Sequence, residues 1–135
     1  MKEFEHDSRA VANRLLDIAR SKGIQLTLMQ LIKLVYLAHA WSLTWFSRPM
    51  IRHAVQAWQY GPVVPQVYRA FKKYGSAPIT DPAIDRQTRG MYVESFTPEE
   101  ASLLEAVVEN YGKMHAFKLS EIMHQPGTPW SRTYE

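Results

Sequence analysis

The sequence predicts a mainly α-helical domain of the α+β class. About five helices pack round an apolar central helix at about residues 28–46, with a small two-stranded β-ribbon at about 54–60 and 91–96. Apolar residues recur at helical spacing in several segments, which is the primary signal of amphipathic helices. Two of these segments follow a Thr that has Gln or Glu three residues later, the signature of a helix start. Residues 55–60 alternate between two faces, which is the period of a strand.

Length and composition favour a single domain over residues 1–135. The hydrophobic fraction of 46% and the charged fraction of 21% are typical of a globular protein. No run of residues approaches the roughly 18 apolar residues of a membrane span, and the charged N-terminus lacks the apolar core of a signal peptide. The absence of cysteine excludes disulfides and thiolate chemistry and agrees with a reducing compartment. We therefore expect a cytoplasmic protein.

The first two helices have recognisable ends. Residues 8–22 have the apolar spacing of a helix, with Ser8 as the expected N-cap and Gly23 as the expected stop. Thr27 and Gln30 have the form of a capping box, in which each side chain bonds the other residue's backbone N–H. This box predicts that the second helix starts at residue 28.

The second helix is the most apolar in the chain. Hydrophobic residues cover most of its circumference and Lys33 is its one fixed charge, so we expect it to be buried against several partners. We expect His39, on the same apolar helix, to be a hydrogen-bonded core histidine and not a ligand. The helix should end before Pro49, because the residue that precedes a proline is pushed out of the α region.

The most unusual stretch is residues 55–75, which combine one Trp and three Tyr with two Gly and two Pro. We interpret it as a strand up to Tyr60, a rigid corner at Gly61 and Pro62, and a short helix from Pro65. The helix should end at Gly75. Its apolar face is predicted to contain Val64, Val67, Tyr68 and Phe71.

Two residues of this stretch are expected to hold the corner in place. We predict that Trp58 and Val64 pack it against the apolar second helix, whereas Gly61, Pro62 and Pro65 set the angle between strand and helix. Trp41 on the second helix and Trp130 near the end of the chain are also expected to be structural. The full set of residues predicted to be structural is Trp58, Gly61, Pro62, Pro65, Trp41 and Trp130.

A long loop follows the corner. Residues 76–90 have no sustained apolar period, and loops of about fifteen residues in compact domains tend to be functional or mobile. Residues 91–96 are predicted to form the second strand of the ribbon. Thr97 and Glu100 form a second capping box that opens a helix ending at Gly112. A further short helix is expected at about residues 115–123.

The charge distribution leaves nucleic-acid binding open as a minor alternative. Residues 1–97 carry 13 Lys and Arg against 7 Asp and Glu, whereas residues 98–135 carry 3 against 6. Arg69, Lys72 and Lys73 are the best candidates for phosphate contact, although a solvated helix face explains them as well. The second helix is too apolar to enter a DNA groove as a recognition helix.

Catalysis is not predicted. The five histidines include no His-Glu-x-x-His motif and no close pair. His124 lies four residues after Ser120, but no carboxylate matches them by spacing, and a helix-end cap explains His124 better. Turn chemistry explains Asp81 and Asp85. We therefore expect no enzyme, no cofactor and no metal.

Four motifs, taken in order, resemble one protein family. They are Leu26-Thr27 with Lys33-Leu34-Val35-Tyr36 and Trp41; Ala57-Trp58-Gln59-Tyr60-Gly61-Pro62-Val63-Val64-Pro65; Tyr68-Arg69-Ala70-Phe71-Lys72-Lys73-Tyr74-Gly75; and Leu119-Ser120 with His124 and Pro129-Trp130. This set resembles the Panacea domain, which is found in SocA-type antitoxins and in GepA-like proteins associated with phages and prophages. The resemblance covers roughly residues 10–132.

The resemblance implies a mainly helical antitoxin that neutralises a co-encoded toxin by direct protein–protein binding. It also implies two alternatives: an adaptor that delivers a toxin to a ClpXP-type protease, or a phage-encoded DNA-binding regulator. The partner should be a toxin protein, with nucleic acid unlikely and no membrane.

Aromatic and basic residues around the corner are the predicted partner surface, because Trp and Tyr are favoured interface anchors. The residues are Tyr60, Arg69, Lys72, Lys73, Tyr74, Arg86 and Arg89. Of these, Arg86 and Arg89 in the long loop are suited to an acidic partner.

Overall fold

The computed structural model describes residues 5–59, 61–114 and 118–119. Within them, four α-helices and one two-stranded antiparallel sheet form an α+β domain. The elements in chain order are α1 (Ser8–Ser21), α2 (Leu28–Phe46), β1 (Gln56–Trp58), β2 (Gly61–Val63), α3 (Pro65–Phe71), a 3₁₀ turn (Lys72–Tyr74) and α4 (Pro98–Tyr111). The mainly helical class is confirmed, with four helices described where about five were predicted.

The central helix is α2, as predicted. Its capping box between Thr27 and Gln30 is formed, and it ends at Ser47, whose left-handed conformation (φ 56°) precedes Arg48 and Pro49. It packs against α1, α3, α4 and β2. An apolar helix with neighbours on so many sides buries almost its whole first three turns.

The start of α1 corrects the sequence prediction by one residue. Asp7, not Ser8, is the N-cap, and its carboxylate accepts a hydrogen bond from the backbone N–H of Arg9 at 2.9 Å. Aspartate and serine are equally good N-caps, so tertiary contacts decide which of Asp7 and Ser8 takes the N-cap position. Ser8 is fully buried beside His53 instead.

The two-stranded sheet is a local hairpin, so the predicted pairing of residues 54–60 with 91–96 is wrong. Strand β1 pairs with β2 in the register Gln56–Val63, Ala57–Pro62 and Trp58–Gly61. Gly61 and Pro62, predicted to form a rigid corner after the strand, are instead paired residues of β2. Antiparallel pairs alternate between hydrogen-bonded and non-hydrogen-bonded, and Pro62 takes a position where no N–H is needed.

Residues 91–96 form no strand; a single antiparallel bridge joins Met91 to Ile84. Asn13 on α1 holds this region from inside. Its amide donates to the carbonyls of Ala83 (3.0 Å) and Tyr92 (3.1 Å), and its carbonyl accepts from the N–H of Ala83 (2.7 Å). Asn13 thus joins Ala83 and Tyr92, while the backbone partners of this segment are Ala83, through the N–H of Tyr92, and Ile84.

The long predicted loop is present and is anchored on the core. The N–H of Ile79 donates to Leu26 O at 2.8 Å, and the side chains of Ile79 and Ala83 are buried. Helix α4 begins at the predicted capping box of Thr97 and Glu100. The helix predicted at 115–123 lies mostly outside the described residues, although Leu119 belongs to the core. None of the described helices is long and apolar enough to cross a membrane.

Candidate partner-binding surface

The hairpin has one buried strand and one exposed strand. All three residues of β2 are buried, whereas all three residues of β1 are exposed. Gly61 has a φ of 121°, a conformation that side-chain-bearing residues rarely adopt, and it lies over the fully buried Lys33 of α2. Pro65 is buried at the first turn of α3. The buried strand β2 is therefore the inner side of the hairpin, and it holds the exposed strand β1, the outer side, against the domain.

Trp58 lies on that outer side and not against α2 as the sequence suggested. Its side chain is 42% exposed, its ring meets Tyr68 of α3 edge-on at 5.3 Å, and its indole N–H donates to Gln56 at 2.9 Å. Lys72 lies one helical turn beyond Tyr68, and Arg69 and Lys72 are both exposed. We call Trp58, Tyr68, Arg69 and Lys72 the hairpin–helix face.

A second feature adjoins this face. Arg69, Lys72 and Lys73, from α3 and its 3₁₀ extension, line one side of a cavity of about 290 Å³, and Arg86 lines the other side from the long loop. Asp81 is the one carboxylate among the described residues of the lining. We call this cavity the basic hollow. Together with Tyr74, the structure therefore brings together five of the seven residues predicted to contact a partner.

Tyr74 also lines the basic hollow, but it has a structural contact. Its hydroxyl accepts a hydrogen bond from the N–H of Asp81 at 3.2 Å and lies 3.5 Å from an Asp81 carboxylate oxygen. The Lys73 ammonium lies 5.4 Å from the centre of the Tyr74 ring. Tyr74 therefore joins the 3₁₀ turn to the loop and gives the hollow its shape.

The other predicted residues lie elsewhere. Arg89 has a positive φ of 64° in the turn that follows Asp85, and it does not line the hollow. Trp41 is half-buried and stacks at 4.8 Å on Trp45, which is 59% exposed. Tyr60 and Trp130 lie outside the described residues.

A buried cluster of charged groups was missed. His6 is 3% exposed, with Nδ1 2.6 Å from a Glu94 oxygen and Nε2 3.0 Å from an Oε1 atom of the fully buried Glu100. Arg52 reaches Glu94 at 3.4 Å and Asp7 at 3.5 Å. Glu94 and Glu100 lie 88 and 94 residues from His6 in sequence, so no local pattern could have revealed these two contacts. The one local signal was the capping box, which uses Glu100.

The charges of this cluster act on its carboxylates. Burial raises the pKa of Asp7, but hydrogen bonds from the side chain and backbone of Arg9, together with its charge, outweigh burial and leave this pKa below its ordinary value. Burial also raises the pKa of Glu94, yet hydrogen bonds from Asp7 and His6 and the charge of Arg52 bring it below its ordinary value. Both side chains are thus held in the ionised form.

Two histidines accept hydrogen bonds from the backbone. Nδ1 of His39 takes the N–H groups of Met50 (3.2 Å) and Ile51 (3.3 Å), which confirms the predicted hydrogen-bonded role. Nδ1 of His53 takes the hydroxyl and N–H of Ser8. Burial lowers the pKa of both imidazoles, as expected for rings that must stay neutral to accept.

The acidic side chains of the loop have turn contacts, as predicted. Asp85 accepts from the N–H of Gln87 at 2.8 Å, and Asp81 is bound to Tyr74 and Thr80. In the part of the chain that the structure describes, no three His, Cys, Asp or Glu residues are grouped so that they could hold a metal ion.

Fold and surface together define a small, mainly helical domain whose most distinctive face is aromatic and basic. Residues 31–131 match the family described as Antitoxin SocA-like, Panacea domain. The chain belongs to this family, so the resemblance read from the four motifs is confirmed.

Among known proteins, the chain is similar to the Antitoxin SocA of Caulobacter vibrioides (strain NA1000 / CB15N). The two are 36% identical over 128 residues, which cover 92% of this chain and 68% of that protein. No solved structure matches the chain.

Proposed function

We propose that this protein is an antitoxin that neutralises a co-encoded toxin by direct protein–protein binding. The observation that carries this proposal is the similarity to Antitoxin SocA over 92% of the chain. A match of this extent includes every described helix and the hairpin, so it is not limited to one shared motif. An antitoxin acts where its toxin acts, and we place this one in the cytoplasm.

The hairpin–helix face supports binding by this route. Trp58 is a large apolar side chain left 42% exposed, and it contacts Tyr68 of α3, whose neighbours Arg69 and Lys72 are exposed cations. Trp and Arg are enriched among the few residues that dominate binding free energy at interfaces. The buried strand β2 and the Tyr68 ring fix Trp58 before any partner arrives. A preorganised anchor loses little conformational entropy on binding.

The described histidines support a binding role and not a catalytic one. His6 contacts two glutamates, and His39 and His53 accept hydrogen bonds from the backbone and from Ser8. These rings already have structural hydrogen bonds, which leaves them poorly placed to act as a general base. We propose that the antitoxin blocks its toxin by covering it in a complex of fixed stoichiometry and catalyses no reaction.

Co-expression with the product of the neighbouring gene tests the proposal. That product alone should stop growth, co-expression should restore growth, and the two proteins should co-purify at a fixed ratio. A harmless neighbouring product, or one that stays toxic beside this protein, refutes the antitoxin role.

The amount of toxin in the cell distinguishes an antitoxin that covers its toxin from an adaptor that delivers the toxin to a protease. A covered toxin accumulates in complex with the antitoxin, in cells with or without a ClpXP-type protease. A toxin that disappears only in cells containing the protease would instead identify an adaptor. Western blots of the toxin in matched strains decide between them.

A further inference from the structure

Some basic residues of the described chain have a carboxylate partner and others have none. Arg9, Lys22 and Arg52 each form an ion pair with a carboxylate, at distances from 2.7 to 3.5 Å. Within residues 5–59, 61–114 and 118–119, the four cations that line the basic hollow form no ion pair. They are Arg69, Lys72, Lys73 and Arg86.

The hollow is also a defined cavity and not simply a convex patch of charge. Its volume is about 290 Å³, enough for a few side chains. Phe71 and Ala83 are buried behind it, and the contact between Tyr74 and Asp81 joins its two sides. Ile84, 49% exposed, adds an apolar wall. Among the described residues, four cations and one carboxylate line the hollow, so a negatively charged occupant is favoured.

We propose that the basic hollow binds an acidic segment of the partner protein, with carboxylate side chains between Arg86 on one side and Lys72 and Lys73 on the other. This inference rests on the proposed function, because the acidic segment belongs to the bound toxin. Trp58 and Tyr68 lie on the same short helix and its hairpin, so one partner can contact both features. The aromatic pair contributes apolar contact, and the hollow selects for acidic sequence.

The geometry favours a protein segment over nucleic acid. Proteins that bind duplex DNA neutralise about 6–10 phosphates along an extended surface, whereas this hollow offers four cations in one small cavity. Asp81 in the lining would repel a phosphate backbone. A short acidic segment can instead place carboxylates on the cations while its backbone N–H groups face Asp81.

The double variant Lys72→Glu/Arg86→Glu tests the inference. Both side chains are exposed, and in the described residues neither has a hydrogen bond, so the fold should be retained. We expect the complex with the product of the neighbouring gene to weaken by about tenfold or more, because attraction becomes repulsion at both sides of the hollow. The effect should shrink at 0.5 M salt.

Arg14→Glu/Lys113→Glu is the matched control, since it makes the same change of charge at two exposed sites away from the hollow. Equal weakening by both double variants would show a response to overall charge and would overturn the inference. An unchanged complex with Lys72→Glu/Arg86→Glu would overturn it while leaving the proposed function intact.

A second arm does not depend on the toxin. Fluorescence anisotropy should show binding of a labelled 20-residue polyglutamate to the wild type and the control variant, but about tenfold weaker binding to Lys72→Glu/Arg86→Glu. A wild type that ignores the neighbouring product yet binds polyglutamate in this way refutes the proposed function, while the preference of the hollow for acidic segments is retained. Preference for a labelled 20-bp DNA over polyglutamate would overturn the inference.

Discussion

Two charged regions of this small domain have opposite arrangements. The cluster around His6 is centred on the buried side chains of His6 and Glu100, and both His6 and Arg52 contact carboxylates in it. The basic hollow is open, and its cations have no ion pair among the described residues. The difference shows that the same charged residue types can form contacts within the fold or remain available to bind a partner. It predicts that changes in the first region alter stability and changes in the second alter binding.

Glu100→Ala should have the largest effect on stability. Glu100 is fully buried, bonds His6 at 3.0 Å and completes the capping box of α4. Its removal leaves the buried Nε2 atom of His6 without a hydrogen-bond partner and takes away half of the capping box, so we expect a loss of about 3 kcal/mol in the free energy of unfolding. Urea denaturation measures it. Glu99→Ala, an exposed neighbour in the same first turn, is the control and should change little.

Gly61→Ala should have the next largest effect. A φ of 121° is accessible to glycine but strained for alanine, so we expect a loss of about 1–3 kcal/mol. Gly90→Ala serves as control, because its added methyl would meet nothing closer than 3.8 Å. Thermal unfolding followed by circular dichroism compares them. Equal losses in both variants would contradict the assigned strain at Gly61.

Acidification should destabilise the protein through its two neutral histidines. Burial lowers the pKa values of His39 and His53 in the folded state, so below about pH 6.5 the unfolded state binds more protons. Stability is therefore lost as pH falls from 6.5 through the lowered values. The ionised Asp7 and Glu94 extend the loss to pH values below 4.

Urea unfolding midpoints at pH 7.5, 6.5 and 5.5 measure the histidine contribution. His39→Gln keeps a side-chain acceptor near the Met50 N–H without a titrating group. Its midpoint should fall less than that of the wild type over this range. A midpoint that falls equally in both proteins would remove His39 as a cause.

Trp58→Ala should have the smallest effect on stability and a large one on binding. Since the ring is 42% exposed and its main contact is Tyr68, we expect a loss of about 1 kcal/mol or less in unfolding free energy. Binding to the neighbouring gene's product should weaken at least tenfold if Trp58 is an anchor. Trp45→Ala removes a similarly exposed ring elsewhere and should leave the complex unchanged.

The local elements of the fold were predictable from short stretches of sequence. The limits of α2, both capping boxes and the short helix at Pro65 follow from neighbouring residues, and the structure confirms them. The family was also recognisable, because its motifs are short runs of unusual residues. These features are local because caps, prolines and helical periodicity act within one or two turns.

Partners that are distant in sequence were decided by the tertiary structure. Asn13 joined Ala83 and Tyr92, and His6 found Glu94 and Glu100 across 88 and 94 residues. The alternation around Trp58 correctly marked a strand, but the buried strand of the hairpin is β2, and all three residues of β1 are exposed. Periodicity predicts that a residue lies on a face, whereas packing determines which face meets the core.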